Sequence, residues 1–75
     1  MKKYTEYISI NPEIRFGRPC INGTRISVYD VLNWLASGMT RKDIIEDYPE
    51  LKEEQINACL GYAAAREQNK LIVST

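Results

Sequence analysis

One helix-start pattern occurs three times in the C-terminal two-thirds of the chain. In each copy an apolar residue precedes the position that caps a helix, an acidic or amide residue follows three positions later, and a second apolar residue comes next. This order is typical of a capping box combined with a hydrophobic staple. The copies begin at residues 26, 39 and 51, where the sequence is ISVYDV, MTRKDI and LKEEQI. The pattern predicts three helices with defined starting points, which is the strongest constraint on the fold.

The residues that follow the first two starts predict where those helices end. Helix one is predicted over residues 28–36, because Ser37-Gly38 supplies a glycine for the left-handed conformation that commonly follows a helix. Helix two is predicted over residues 41–47, because Pro49 disfavours helix at the residue before it.

Helix three is predicted over residues 53–68. Its start is the weakest of the three, because the side chain of Lys52 cannot accept a hydrogen bond and is a poor cap. The β-prone tail, residues 70–75, is predicted to be either a terminal strand or a segment that orders on a partner.

The spacing of apolar residues assigns a core face to each helix. The residues predicted to point inward are Val31, Leu32, Leu35, Ile44, Ile45, Tyr48, Ile56, Cys59, Leu60, Ala63 and Ala64. The opposite face of helix three includes Gly61, although glycine in a helix interior is about 0.8–1 kcal/mol less favourable than alanine. Because small residues allow another backbone to approach closely, we predict a partner interface there. Its residues are Ala58, Gly61, Tyr62 and Ala65.

Residues 1–26 are predicted to form a β-ribbon. Asn22-Gly23 is typical of a type I′ hairpin turn, which needs positive φ at both central residues. An isolated hairpin is marginal in water, so the ribbon should pack on the helices or pair with a second copy. The expected fold class is mainly α, a single domain in which this ribbon precedes a three-helix, helix-turn-helix unit over residues 27–69. Short strands are predicted at residues 7–10, 13–16 and 24–26.

Length and composition limit how such a chain gains stability. A 75-residue domain buries a limited share of its surface and usually needs an additional source of stability. The chain has no histidine and two cysteines, so it cannot build a four-ligand zinc site alone. No metal or cofactor is predicted, and Cys59 is interpreted as a core thiol. Self-association into a homodimer is the expected source of the additional stability.

Catalysis and membrane insertion are not predicted. The sequence contains neither a phosphate-binding glycine loop nor a catalytic base beside a cysteine. The acidic residues of segment 43–54 are interpreted as a solvated face rather than a cation site. No apolar run has the length of a signal peptide or a membrane span, so we expect a soluble cytoplasmic protein.

The net charge of zero conceals an uneven distribution. Residues 1–29 carry five basic and two acidic residues, a net charge of +3, whereas residues 30–75 carry five basic and eight acidic residues, a net charge of −3. Imbalances of this size are common in small domains, but the basic half also suits an anionic partner. The predicted DNA-contacting residues are Arg15, Arg18, Arg25, Lys52 and Gln55. The alternative is that Arg15 and Arg25 pair with acidic residues of the helices and hold the fold together.

Three sequence blocks share their spacing with one family. They are Ile14-x-x-Gly17-x-Pro19-x-Ile21-x-Gly23-Thr24-Arg25-Ile26, Trp34-Leu35-Ala36-Ser37-Gly38 and Tyr48-Pro49-x-Leu51. In these blocks the chain resembles the domain-of-unknown-function family 433, over about residues 6–68. The resemblance implies a homeodomain-like helix-turn-helix fold. Many members resemble the antitoxin half of type II toxin–antitoxin pairs, often encoded beside a PIN-like ribonuclease toxin, and the family usually has Ser or Thr at position 52.

The resemblance therefore implies an antitoxin-like function. The helices and tail would bind and block a PIN-like ribonuclease, and a homodimer would bind operator DNA. Helix-turn-helix proteins usually contact DNA through the N-terminal part of the second helix of the motif, but Glu53 and Glu54 occupy that part here and repel phosphate. The basic ribbon is the better candidate for DNA contact. The alternative function is a helix-turn-helix transcriptional regulator with no toxin partner.

Overall fold

The computed structural model describes the backbone of residues 4–74 and the side chains of residues 4–67. A two-stranded antiparallel ribbon precedes three helices, which confirms the predicted fold class. Two short 3-10 turns, which we call the Tyr4 turn and the Phe16 turn, interrupt the N-terminal part. In chain order the elements are the Tyr4 turn (Tyr4–Glu6), β1 (Ile8–Ile10), the Phe16 turn (Arg15–Gly17), β2 (Pro19–Ile21), α1 (Val28–Ala36), α2 (Arg41–Asp47) and α3 (Glu53–Ser74).

Helices α1 and α2 begin and end at the predicted residues because their caps form as the sequence indicates. The Ser27 hydroxyl accepts a hydrogen bond from the Asp30 backbone N–H, and the Asp30 carboxylate accepts one from the Ser27 N–H. Thr40 and Asp43 form the same reciprocal pair at the start of α2. Each box provides partners for backbone donors that the first turn of a helix leaves unpaired.

Helix α3 begins at Glu53 with half of this arrangement. The Gln55 side-chain oxygen accepts a hydrogen bond of 2.7 Å from the Lys52 N–H, while the lysine side chain provides no acceptor in return. The helix then continues to Ser74, so the prediction of a terminal strand after residue 69 is wrong, while the alternative of a segment that orders on a partner stays a prediction. No proline or glycine follows Gly61, and an established helix extends more easily than a new element starts.

The ribbon has a different strand pairing from the predicted one. Strand β1 pairs with β2 in an antiparallel register that places Ile8 opposite Ile21. Residues 13–16 are not a strand, because Asn11 starts a turn in which its side chain accepts from the Glu13 N–H. Residues 24–26 are not a strand either, and only the adjacent Ser27 forms a bridge, to Cys20 of β2.

Asn22-Gly23 forms a turn, but of another type. The Thr24 N–H donates to the Ile21 carbonyl at 3.0 Å, which closes a four-residue turn. Gly23 has a φ of 77°, whereas Asn22 is not among the described residues with positive φ. The type I′ prediction is therefore wrong, since positive φ only at the second central residue is the pattern of a type II turn.

The Phe16 turn has an unusual left-handed backbone. Arg15, Phe16 and Gly17 have φ values of 51°, 59° and 81°, and the Gly17 and Arg18 N–H groups donate to the carbonyls three residues earlier. A left-handed conformation is unfavourable by about 1–2 kcal/mol for each non-glycine residue. Contacts elsewhere must therefore hold Arg15 and Phe16 in place.

The core lies where β2 and the three helices meet. Its buried cluster consists of Ile21, Val28, Val31, Ile44, Leu51, Ile56 and Cys59. The predicted inward face of α3 is correct for Ile56 and Cys59 but wrong for Leu60 and Ala64, which are exposed. Ala58 is buried instead, because the N-terminal part of the chain packs on α3 from the side that the helical spacing alone leaves open.

Candidate functional site

A groove lies between β2, α1 and the C-terminal half of α3. Its volume is about 670 Å³, within the range of pockets that bind ligands or partner side chains. Aliphatic and aromatic side chains form most of its surface, and charged groups stand around it. The lining residues are Arg18, Pro19, Ser27, Val28, Tyr29, Leu32, Tyr62, Ala63, Arg66 and Glu67.

Two arginine–tyrosine pairs line this groove. The Arg18 guanidinium carbon lies 5.7 Å from the centre of the Tyr29 ring, and that of Arg66 lies 5.7 Å from the centre of the Tyr62 ring. Both distances are within the range of a cation–π interaction. Arg66 also donates a 3.3 Å hydrogen bond to the Tyr62 hydroxyl.

Both arginines keep their charge available to a partner. Among residues 4–67 the one ion pair joins Arg15 to Asp30. Within this range neither Arg18 nor Arg66 has a carboxylate within salt-bridge distance. Tyrosine rings orient these two guanidinium groups without neutralising them. The groove thus combines a largely apolar surface with two oriented positive charges and one carboxylate, Glu67, an arrangement that suits an apolar segment with carboxylates near it.

Arg15 has a structural role instead. Its guanidinium donates to the Asp30 carboxylate at 3.0 Å and to the Arg25 carbonyl at 2.9 Å. Burial opposes ionisation of Asp30, but hydrogen bonds that the carboxylate accepts from the Ser27 backbone, from Arg15 and from the Ser27 side chain together hold the pKa of that carboxyl below its usual value. The alternative in which Arg15 holds the fold is therefore correct, whereas the Arg25 guanidinium makes no hydrogen bond or ion pair with the described residues.

The predicted DNA-contacting residues do not gather on one surface. Lys52 is exposed at the start of α3, and the Gln55 side chain is used to accept from its backbone N–H. At 1.5 Å per residue, Lys52 lies about 21 Å along the helix axis from Arg66, the groove residue near Arg18. Arg18 and Lys52 therefore belong to separate regions of the molecule.

The predicted partner interface on α3 is largely covered by the chain itself. Ala58 is 5% exposed, and an added Cβ on Gly61 would lie 3.5 Å from the Tyr4 Cβ. The Tyr62 ring meets the Tyr4 ring edge to face with 6.0 Å between centres. The predicted exposure is thus wrong for Ala58, which is buried, whereas Gly61, over which the Tyr4 turn packs, and Ala65 are both half-buried.

Sequence reasoning missed two of the four residues that form the arginine–tyrosine pairs. Tyr29 and Arg66 were not predicted to have a functional role, although Tyr62 and Arg66 are four residues apart and so share a helix face. That spacing could have indicated the Tyr62–Arg66 pair. The pairing of Arg18 with Tyr29 joins β2 to α1 and has no comparable sequence signal.

The two thiols are poor nucleophiles in this fold. Cys20 and Cys59 are both buried and free, and burial raises the pKa of Cys59 to about 12. Among the residues that the structure describes, no group of three or more His, Cys, Asp or Glu side chains could hold a metal ion. No described helix is long and apolar enough to cross a membrane.

Comparison with known proteins places the chain among relatives without assigned function. It is 37% identical over 60 residues to the uncharacterized protein y4eO of Sinorhizobium fredii (strain NBRC 101917 / NGR234), a match that covers 80% of this chain and 27% of the relative. The chain therefore spans about a quarter of the length of that protein.

A solved structure has the same fold. The crystal structure of a DUF433 member protein from Anabaena variabilis ATCC 29413 superposes with a TM-score of 0.77 and 27% sequence identity, covering 92% of this chain and 69% of that one. Residues 8–63 match the model of the family described as "Protein of unknown function (DUF433)". This match includes the ribbon, α1, α2 and the first half of α3, and it shows that the chain belongs to the DUF433 family.

Proposed function

We propose that this protein is an antitoxin-like binding module of a type II toxin–antitoxin pair, and that its groove binds and inhibits a PIN-like ribonuclease. The observation that supports this most directly is the pair of tyrosine-oriented arginines, Arg18 and Arg66, in the lining of one largely apolar groove. The family resemblance in the sequence supports the class of partner.

The composition of the groove suits a protein partner. Tyrosine and arginine are enriched at protein interfaces and at the residues that contribute most to binding, since both bury large surfaces and donate hydrogen bonds. Val28, Leu32 and Ala63 add apolar surface between the two pairs. A segment of the ribonuclease that carries apolar residues flanked by carboxylates would complement this surface.

Binding to operator DNA has weaker support. DNA affinity depends mainly on neutralised phosphates, and Arg15 is already paired with Asp30. The start of α3 carries Glu53 and Glu54 beside Lys52, which opposes phosphate contact. Operator binding by a dimer would rely on Arg18 and Arg25, and it is proposed as a secondary activity.

Co-expression tests the proposal. The chain is expressed with the product of the adjacent open reading frame, and growth, complex formation on gel filtration and RNA cleavage by the purified neighbour are measured. We expect wild-type protein to restore growth and to suppress cleavage in a stable complex. A neighbour that is not toxic and forms no complex would contradict the proposal.

Groove variants locate the binding surface. The double variant Tyr29→Ala/Arg66→Ala should weaken the complex at least about tenfold, since it removes one member of each pair. The matched control Lys42→Ala removes an exposed charge on α2 and should bind as wild type. If the groove variant also bound as wild type, another surface would carry the function, and salt-sensitive operator binding without a toxic neighbour would favour the regulator alternative.

A further inference from the structure

Phe16 is displayed on the surface by a rigid turn. Its side chain is 100% exposed, and its φ of 59° lies in the left-handed region. The Arg15 side chain ties the turn to the rest of the fold by hydrogen bonds to Asp30 and to the Arg25 carbonyl, and two backbone hydrogen bonds close the turn. These contacts fix the backbone that presents the aromatic ring, so binding has to order only the side-chain rotamer of Phe16, which favours its use as an interface anchor.

A second arginine, Arg25, has its backbone against this turn. The Arg25 carbonyl accepts from the Arg15 guanidinium, so the backbone of Arg25 lies against the base of the Phe16 turn. The Arg25 side chain is exposed and has no hydrogen bond or ion pair with the described residues. The anchor therefore suits an apolar surface with acidic groups at its edge.

Helix α3 carries such a surface on its solvent side. Leu60 is 37% exposed and Ala64 is exposed one turn later. Glu53 lies seven residues before Leu60 and Glu67 three residues after Ala64, spacings that place all four on one helix face. We call these four residues the α3 stripe, which has an apolar centre and an acidic residue at each end.

We propose that the Phe16 turn of one copy docks on the α3 stripe of a second copy, with Arg25 directed towards one acidic end of the stripe. Two-fold symmetry then forms the same contact twice. The opposite net charges of residues 1–29 and 30–75 favour this arrangement over contact between like halves. The inference is independent of the proposed ribonuclease partner.

Sedimentation equilibrium of the purified chain tests the interface. Wild-type protein should form dimers that weaken as salt is raised. Phe16→Ala and Leu60→Glu should each weaken dimerisation at least about tenfold. Both residues are exposed, so circular dichroism at a concentration where each variant is monomeric should show an intact fold. Lys42→Glu, which introduces the same charge as Leu60→Glu at an exposed position of α2, is the matched control and should dimerise as wild type.

Mixing the two variants provides the sharpest test. A heterodimer of Phe16→Ala with Leu60→Glu retains one complete contact, because one copy supplies Phe16 and the other supplies Leu60. The mixture should therefore associate more strongly than either variant alone. A monomeric wild type, a Phe16→Ala variant that dimerises normally, an open series of oligomers or a mixture without recovery would each overturn the proposal.

Discussion

Asp30 joins two features of the fold through one oxygen atom. Its Oδ2 accepts both the Ser27 N–H that begins α1 and the guanidinium of Arg15 from the Phe16 turn. Arg15 in turn reaches the Arg25 carbonyl. The hydrogen bonds of Arg15 and Asp30 thus hold both the left-handed turn and the start of α1. Removing the charge of Arg15 or of Asp30 should therefore affect both features.

Removing the Arg15 side chain should therefore destabilise the protein. We expect Arg15→Ala to lower the free energy of unfolding by about 1 kcal/mol, a modest value because both partners are partly exposed. Urea denaturation followed by circular dichroism measures this change. Lys42→Ala, which removes an exposed charge on α2, should stay within about 0.5 kcal/mol of wild type. Equal stability of the two variants would argue against the structural role of Arg15.

Acid should remove the contribution of Asp30. Because its pKa is lowered in the folded state, the ionised carboxylate stabilises the fold fully above its ordinary pKa of 3.8. That contribution is lost as the pH falls from this value through the lower folded-state pKa. Asp43, whose pKa is lowered by hydrogen bonds from Thr40, contributes in the same direction.

The Asp30→Asn variant tests this linkage. It should be less stable than wild type at neutral pH, and its stability should fall less steeply below about pH 5. Thermal unfolding measured across this pH range provides the comparison. The matched control is Asp47→Asn, which removes an exposed carboxylate of α2 outside this hydrogen-bond network. An unchanged slope in Asp30→Asn would show that other carboxylates dominate acid unfolding.

The three helices differ in how completely their first turns are capped. α1 and α2 each have both hydrogen bonds of a capping box, whereas α3 has only the one from the Lys52 N–H to Gln55. The longest helix therefore has the weakest start. Its position is set instead by Leu51 and Ile56 in the core.

Completing this cap should stabilise the protein. Lys52→Ser supplies the missing acceptor, and we expect the free energy of unfolding to rise by about 0.5–1 kcal/mol. Chemical denaturation detects a change of this size. Lys42→Ser places the same residue within α2, where serine is a weaker helix former than lysine, and should be neutral or slightly destabilising. A loss of stability in Lys52→Ser would mean that the lysine side chain stabilises the fold more than a serine cap does.

At the scale of the whole molecule, contacts distant in sequence hold the N-terminal part on the helices. The Tyr7 hydroxyl donates to Glu54 at 3.3 Å, and the Tyr4 ring packs on Tyr62 and over Gly61. These contacts bring the first turn of the chain against the middle of α3. They also explain why Ala58 is buried and Gly61 is only partly exposed on the small-residue face.

The Gly61 site tests that packing. An added methyl group would lie 3.5 Å from the nearest Tyr4 atoms, an ordinary contact distance, so Gly61→Ala should fit. We expect a gain of up to about 1 kcal/mol in the free energy of unfolding from the better helix propensity of alanine. Gly61→Leu should instead displace Tyr4 and destabilise the protein, and denaturation of both variants measures the contrast. If Gly61→Ala were destabilising, the Tyr4 packing would be tighter than these distances indicate.

The candidate site was predictable only in part. Arg18 was predicted as a binding residue because it is a basic residue of the ribbon. Tyr62 was predicted because it lies beside the small residues of helix three. Tyr29 and Arg66 were missed, since their value depends on the groove that β2, α1 and α3 form together. Arg15 looked equivalent to Arg18 in sequence, yet its contact with Asp30 gives it a different role.

The sequence by itself determined the start of each helix and the ends of α1 and α2. The physical reason is that a capping box, a proline and a glycine act on residues only a few positions away. Tertiary structure decided which face of α3 is buried, which strand pairs with β1 and which arginines remain available. Those outcomes depend on residues that meet only after folding, such as Tyr4 with Gly61 and Arg15 with Asp30, and no local pattern specifies such distant pairs.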